Sequence, residues 1–468
     1  MTDRHDGKAL DTPDERPPNR AKPTALRSSA SPPEIPAEGA REAELSKEPN
    51  RCLRALKVLG PGLITGASDD DPSGIGTYST AGASVGFALL WSAFFTFPLM
   101  AAVQYICAKI GLETGSGLAG VLRRHYPRWL LYPVVIGLLV ANTFNVGADI
   151  GAIAAAVSLL VPVQSAILIV PIAAIIVALV TLASYRVLAR LFKWLTLSLF
   201  AYVAASFFAH PSFAQVARGT LVPTISLDSG FLAVFVAILG TTISPYLFFW
   251  QTGQEVEARV DMGLRRLWQR QGTTDAELRY AFWDVSVGML FSNLVMYFII
   301  LATGATLFAA GKHDIQSATD AAAALRPIAG AGATILFAVG LIGTGLLAVP
   351  ALAGSSAYAV SEAMGWQWGL DETPFRAKQF YGVIAVSTLV GMAINFVGIN
   401  PITALFWSAV VNGFLAPPLL VLVMLIVNNR KIMRGRVNSR ITNILGWVTT
   451  AVMFLAAIGL IATSIPGG

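Results

Sequence analysis

Gly60-Pro61-Gly62-Leu63-Ile64-Thr65-Gly66-Ala67-Ser68-Asp69-Asp70-Asp71-Pro72-Ser73-Gly74-Ile75-Gly76 sets three consecutive carboxylates inside an otherwise apolar stretch of spanning length. Pro72 removes a backbone donor and clashes with the preceding turn, and Gly74 loosens the chain further. The residues predict a helix that stops and restarts mid-span. A bilayer tolerates freed carbonyls only where they line a protein cavity. Carboxylates beside free carbonyls make an oxygen-rich cation site, and charges placed within a membrane point to function. The plainer alternative is two short segments joined by an acidic loop.

The rest of the chain has the composition of a membrane protein. Of its 468 residues 55% are hydrophobic and 13% charged, about half the charge of an ordinary soluble domain. Mean hydropathy is +0.63. Apolar runs near helix-spanning length recur, without the alternation of a barrel strand. The expected class is an all-α polytopic membrane protein, which excludes soluble enzymes, nucleic-acid binders and disulfide-built secreted domains. Cys52 and Cys107 supply neither a disulfide framework nor metal-ligand spacing. No resident cofactor, nucleic acid or protein partner is indicated; the bilayer and the transported ion are the expected partners.

Residues 1–50 hold 8 of the 25 prolines, with 8 Lys/Arg against 10 Asp/Glu. They are expected to form a disordered cytoplasmic tail, without the apolar core of a secretory signal. A transporter domain over 51–468 follows. Its eleven expected spans are 55–82, 87–111, 129–160, 163–183, 188–209, 230–256, 281–309, 331–363, 379–397, 401–427 and 441–464. Basic residues alternate between the loops. Arg51, Arg54 and Lys57 share a side with Lys109, Arg123, Arg124 and Arg128, then with Arg186, Arg190 and Lys193. Arg259, Arg265, Arg266, Arg270, Arg376, Lys378 and the group Arg430, Lys431, Arg434, Arg436 and Arg440 fall there too. By the positive-inside rule the N-terminus is cytoplasmic and the C-terminus outside, in a bacterial-type inner membrane.

A second break is written in span six, Gly240-Thr241-Thr242-Ile243-Ser244-Pro245-Tyr246. Breaks in spans one and six fit an inverted five-plus-five repeat over roughly 51–210 and 230–428, with 441–464 outside it. The helix-break residues are Pro72 and Pro245. Elsewhere span three carries Asn142, Asn145 and Asp149, span seven Asp284 and Asn293, and span ten Asn412. Asp149 is either a second acid facing the site or a helix–helix hydrogen bond. Asp284, near a cytoplasmic end, reads as a gate contact or a solvated terminus.

These motifs resemble the Nramp family of divalent metal transporters, which have the leucine-transporter fold. Gly60-Pro61-Gly62 with Asp71-Pro72-Ser73-Gly74 is similar to the family's helix-1 segment. Gln104-Tyr105, Ala108-Lys109-Ile110-Gly111, Thr114-Gly115 and Leu118-Ala119 are similar to its second helix and loop, and Thr241 to Tyr246 to its helix-6 break. The resemblance implies a metal site at Asp71, Gly74, Ser244 and the Thr241 carbonyl, with Asp70 as a further acidic contact. Gly74 replaces the family's Asn and Ser244 its Met. Tyr246 and Gln251 replace its two histidines, and Asn412 its Gln. Asp69, Asp149, Tyr246, Gln251 and Asn412 are therefore candidates for proton handling or for supporting the site.

Without the soft thioether the site is all-oxygen, which favours hard cations. Smaller residues at Gly74 and Ser244 should widen it for a partly hydrated Mg²⁺. The pattern looks like the Nramp-related magnesium transporter branch, which implies import of Mg²⁺ and Mn²⁺ with weak or no proton coupling. The carboxylates remain able to carry protons, so a proton-coupled Mn²⁺/Fe²⁺ symporter stays as an alternative. An amino-acid transporter of this fold would have its anionic substrate repelled by the aspartates. An intramembrane aspartyl protease would need two facing aspartates, and Asp71 and Asp149 lack the accompanying motif.

Overall fold

A computed structural model describes residues 60–182, 200–315, 317–326, 330–370 and 372–464. The expected tail, the cations Arg51, Arg54, Lys57, Arg186, Arg190 and Lys193, and most of the fifth span lie outside these residues. The described elements are helical. Span one is α1 (Pro61–Asp69) and α2 (Pro72–Val85), followed by α3 (Trp91–Thr114), the short α4 (Leu118–His125), α5 (Arg128–Leu160) and α6 (Ser165–Leu182). Then come α7 (Ala201–Phe208), α8 (Phe213–Leu221), the two halves of span six α9 (Ser229–Thr242) and α10 (Pro245–Asp261), and α11 (Asp275–Thr303). After α12 (Ala318–Ala322) the chain runs through α13 (Ala333–Met364), α14 (Lys378–Ile394), α15 (Pro401–Asn428) and α16 (Arg440–Ser464).

Against eleven expected spans, eight helices among the described residues are long and apolar enough to cross a membrane, the interrupted Ser229–Asp261 counted as one. Span one is divided into two helices of 9 and 14 residues, α6 is a shorter apolar helix, and span five is described only over 200–209, with its helix at Ala201–Phe208. Large apolar side chains such as Phe94, Trp129, Ile136, Trp283 and Leu455 are exposed, as a lipid-facing surface requires.

Both breaks are helix restarts with a recognisable local cause. Asp71 has extended backbone angles and caps α2, its carboxylate accepting from the Gly74 N–H at 2.7 Å, with Pro72 in the first turn. Ser244 is extended and precedes Pro245 in the same way. An N-cap followed by proline suits a helix start, because proline's missing donor is an orphan there anyway. The two restarts touch. Tyr246 Oη donates at 2.7 Å to the Ser68 carbonyl near the end of α1.

Half-helix α1 is packed hard against α11. A Cβ on Gly62 would come within 2.5 Å of the Val285 backbone, and one on Gly66 would overlap the Gly288 carbonyl. Such small-residue contacts substitute close packing for the hydrophobic drive that lipid does not supply. Overpacking typically costs ~1–3 kcal/mol. Gly66→Leu is expected at or above the top of that range, read as a lower unfolding temperature in detergent with secondary structure retained.

The carboxylate of Asp284, on α11, accepts from three backbone N–H groups at the start of α1: Gly60 at 2.7 Å, Gly62 at 2.8 Å and Leu63 at 3.1 Å. This corrects the reading of Asp284 as a solvated terminus. It is fully buried and supplies from another helix the cap that Gly60 cannot. Glu362 does the same for α4, accepting from Gly117 and Gly120 at 2.8 and 3.0 Å. Three cations counted as loop charges are likewise buried. Arg259 donates to the carbonyls of Leu112, Arg270 and Gly272 and pairs with Glu277, Arg270 donates to Gly115 and Arg265, and Lys109 donates to Val437. These residues tie the ends of α3, α10 and α11 together at one end of the bundle.

Candidate functional site

The break in span one and the helix α5 bring four carboxylates into the interior, Asp69, Asp70 and Asp71 from span one and Asp149 from α5, each at most 1% exposed. None is ion-paired to Lys, Arg or His among the described residues. Neutral donors divide them into two pairs. Ser292, on α11, has its hydroxyl 2.5 Å from Asp69 Oδ2 and 3.1 Å from Asp70 Oδ1. One hydroxyl proton serves one of these oxygens at a time. Asn145, on α5, places Nδ2 at 3.0 Å from Asp71 Oδ2 and 3.4 Å from Asp149 Oδ2. Asp71 Oδ1 accepts from Ser73 Oγ and Gly74 N, both at 2.7 Å.

Several acceptor atoms are left over. Asp69 Oδ1, Asp70 Oδ2, Asp149 Oδ1 and Asn145 Oδ1 are buried without a hydrogen-bond partner among the described residues. Buried polar groups are ordinarily paired, and buried negative charge demands compensation. No three Asp, Glu, His or Cys side chains form a ready-made metal cluster among the described residues.

The span-six residues are placed less simply than their sequence suggests. Ser244 Oγ lies 2.8 and 2.7 Å from the Gly240 and Thr241 carbonyls, so its one proton is spent on the last turn of α9, on one of these carbonyls at a time. Its lone pairs remain. Gly74 does not open a wide space, since a Cβ there would meet Thr241 Oγ1 at 3.2 Å and the Tyr78 ring at 3.3 Å. Gln251 accepts from Thr65 at 2.5 Å and donates to Glu255 at 3.0 Å. It joins α1 to α10 without a hydrogen bond to the four aspartates. Asn412 is buried on α15, beside Gly413, which packs on Val236 of α9.

Sequence reasoning passed over Ser292 and took Asn145 as one polar residue among several. A lone serine in a membrane helix carries no signal by itself. Asn145 had one, since it sits four residues before Asp149 and so shares its face.

Comparison with known proteins gives the family and the fold. The family model "Nramp: Natural resistance-associated macrophage protein-like" matches residues 62–463. The divalent metal cation transporter MntH of Klebsiella pneumoniae strain 342 is 26% identical over 415 residues, covering 86% of this chain and 94% of that protein. A crystal structure of the Eremococcus coleocola manganese transporter, in complex with an aromatic bis-isothiourea compound, superposes with a TM-score of 0.69 at 19% identity, covering 89% of this chain and 88% of that one. Mhp1, a nucleobase-cation-symport-1 family transporter, gives 0.56 at 15% identity, with 86% and 90% covered. Both structures share the leucine-transporter fold with this chain. A family match that begins in the first half-helix and runs into the last span takes in both breaks and all four buried aspartates, and the chain belongs to the Nramp family.

Proposed function

We propose that this protein imports divalent metal cations, Mg²⁺ and Mn²⁺, across a bacterial-type inner membrane with weak or no proton coupling. The observation that carries this reading is the set of four buried carboxylates at the break, none of them paired with a protein cation among the described residues. Asp71 and Asp70 are the acidic contacts, with Gly74, Thr241 and Ser244 supplying neutral oxygens. Oxygen donors favour hard ions, and a hydroxyl at Ser244 removes the preference a thioether would give to softer metals. The span-six positions that would relay protons hold Tyr246 and Gln251, whose polar atoms are committed to Ser68, Thr65 and Glu255. The membrane potential alone supplies about 4.6 kcal/mol per dication at 100 mV.

The proposed organisation keeps the inverted repeats over roughly 51–210 and 230–428, the last helix outside them, the N-terminus in the cytoplasm and the C-terminus outside. The test is uptake into proteoliposomes carrying a Mg²⁺ dye and a pH dye. Mg²⁺ entry without acidification is expected. Mn²⁺ entry with acidification and no Mg²⁺ entry would overturn the uncoupled reading in favour of a proton-coupled symporter. In the same vesicles Ser244→Met is expected to raise Mn²⁺ over Mg²⁺ preference by about tenfold, a difference of about 1.4 kcal/mol in relative affinity.

A further inference from the structure

We infer that Asn145 stands in for the cation at Asp71 and sets how readily the ion leaves. The inference rests on the transport reading above and concerns a residue outside the expected ligand set. Asn145 is fully buried. Both neighbours of its Nδ2 are carboxylate oxygens, which can receive only the NH₂ end of the amide.

The two oxygens of Asp71 are not equivalent. Oδ1 is bound by Ser73 and Gly74 inside the first turn of α2 and belongs to the helix cap. Oδ2 is held by Asn145 alone among the described residues. It is the oxygen that can change partner without undoing the helix, so a cation arriving at Asp71 competes with the Asn145 amide for it. The displaced N–H has somewhere to go. Asp149 Oδ2 is 3.4 Å away, one turn along the same helix. Asn145 Oδ1, without a hydrogen-bond partner among the described residues, can accept from a water carried by a partly hydrated ion. When the ion departs, the amide returns to Oδ2 and offsets part of the charge left behind.

Asn142 provides the contrast. One turn earlier on α5, its Nδ2 is fixed by the Leu352 carbonyl and the hydroxyls of Ser355 and Ser356. It pins α5 to α13, and none of its hydrogen bonds among the described residues is to an aspartate. An asparagine that only holds helices together should affect stability, whereas one that competes with the ion should affect affinity and turnover in opposite senses.

The experiment measures Mg²⁺ binding by calorimetry in detergent and initial Mg²⁺ uptake rates in proteoliposomes. It compares wild type with Asn145→Ala, Asn145→Ser and Asn142→Leu. Removing a charge-assisted competitor in Asn145→Ala should lower Kd and KM by about tenfold and lower the maximal rate by a similar factor. Asn145→Ser keeps a shorter donor and should fall between, which preserves the test if the alanine variant folds poorly. Asn142→Leu should lower the unfolding temperature and leave KM unchanged. An Asn145 variant that folds normally and shows unchanged or weaker Mg²⁺ binding overturns the inference while leaving the transport reading intact. A wild-type protein that neither binds nor carries Mg²⁺ overturns the transport reading and this one with it.

Discussion

Asp71→Ala is expected to reduce Mg²⁺ uptake by about a hundredfold, and Asp71→Asn by about ten- to a hundredfold. The size follows from three roles in one side chain. Asp71 caps α2 through Gly74 and Ser73, receives the Asn145 amide, and offers negative charge to the cation. Loss of an N-cap alone costs about 1 kcal/mol. Loss of a hydrogen-bonded charge contact costs a further ~1.5–3 kcal/mol, and each 1.4 kcal/mol is about tenfold in affinity. The two variants separate these roles. Asparagine can still accept from the Gly74 N–H and should keep the break intact, with an unfolding temperature near wild type. Alanine should lose both stability and transport. Wild-type uptake in Asp71→Asn would reduce Asp71 to a helix cap and move the ion-holding role to Asp69, Asp70 and Asp149.

The second large effect is expected at Asp284. Alanine there leaves three N–H groups at the start of α1, that of Gly62 buried and those of Gly60 and Leu63 part-buried, without their acceptor. An unsatisfied buried group costs about 1–3 kcal/mol. Even with water reaching part of the site, a net loss of about 3 kcal/mol is expected. It should appear first as loosening of α1 from α11, ahead of global unfolding. In a background lacking Cys52 and Cys107, a cysteine replacing the half-buried Ala67 should react with a membrane-impermeant maleimide several times faster in Asp284→Ala. Asp284→Asn, which retains one acceptor oxygen, should lie between. Equal labelling in all three would show that the glycine contacts with Val285 and Gly288 hold α1 without help.

Much of the architecture was legible because its causes are local. Asp71-Pro72 and Ser244-Pro245 are helix-start signals that stay readable inside a membrane span, and both restarts occur where those residues stand. Apolar runs delimited most of the helices for the same reason. The site was legible only in its charges. Which neutral donor each aspartate meets is decided by helices distant in sequence, as with Ser292, 223 residues from Asp69. Burial misled in the other direction at Asp284, Arg259 and Arg270. A charged residue near a span's end has solvent as its default partner, yet these three bind backbone groups of other segments. Charge counting gives the same sum whether an arginine is hydrated or clamped between carbonyls.

The hydrogen bond from Tyr246 to the Ser68 carbonyl links the two interruptions directly. A phenol is stiff, with two rotatable bonds between backbone and ring, so the bond acts as a strut of nearly fixed length. A turn of the first half of span one would then be expected to carry the second half of span six with it, as between meshed gears. Phenylalanine at this position would keep the ring and remove the tooth.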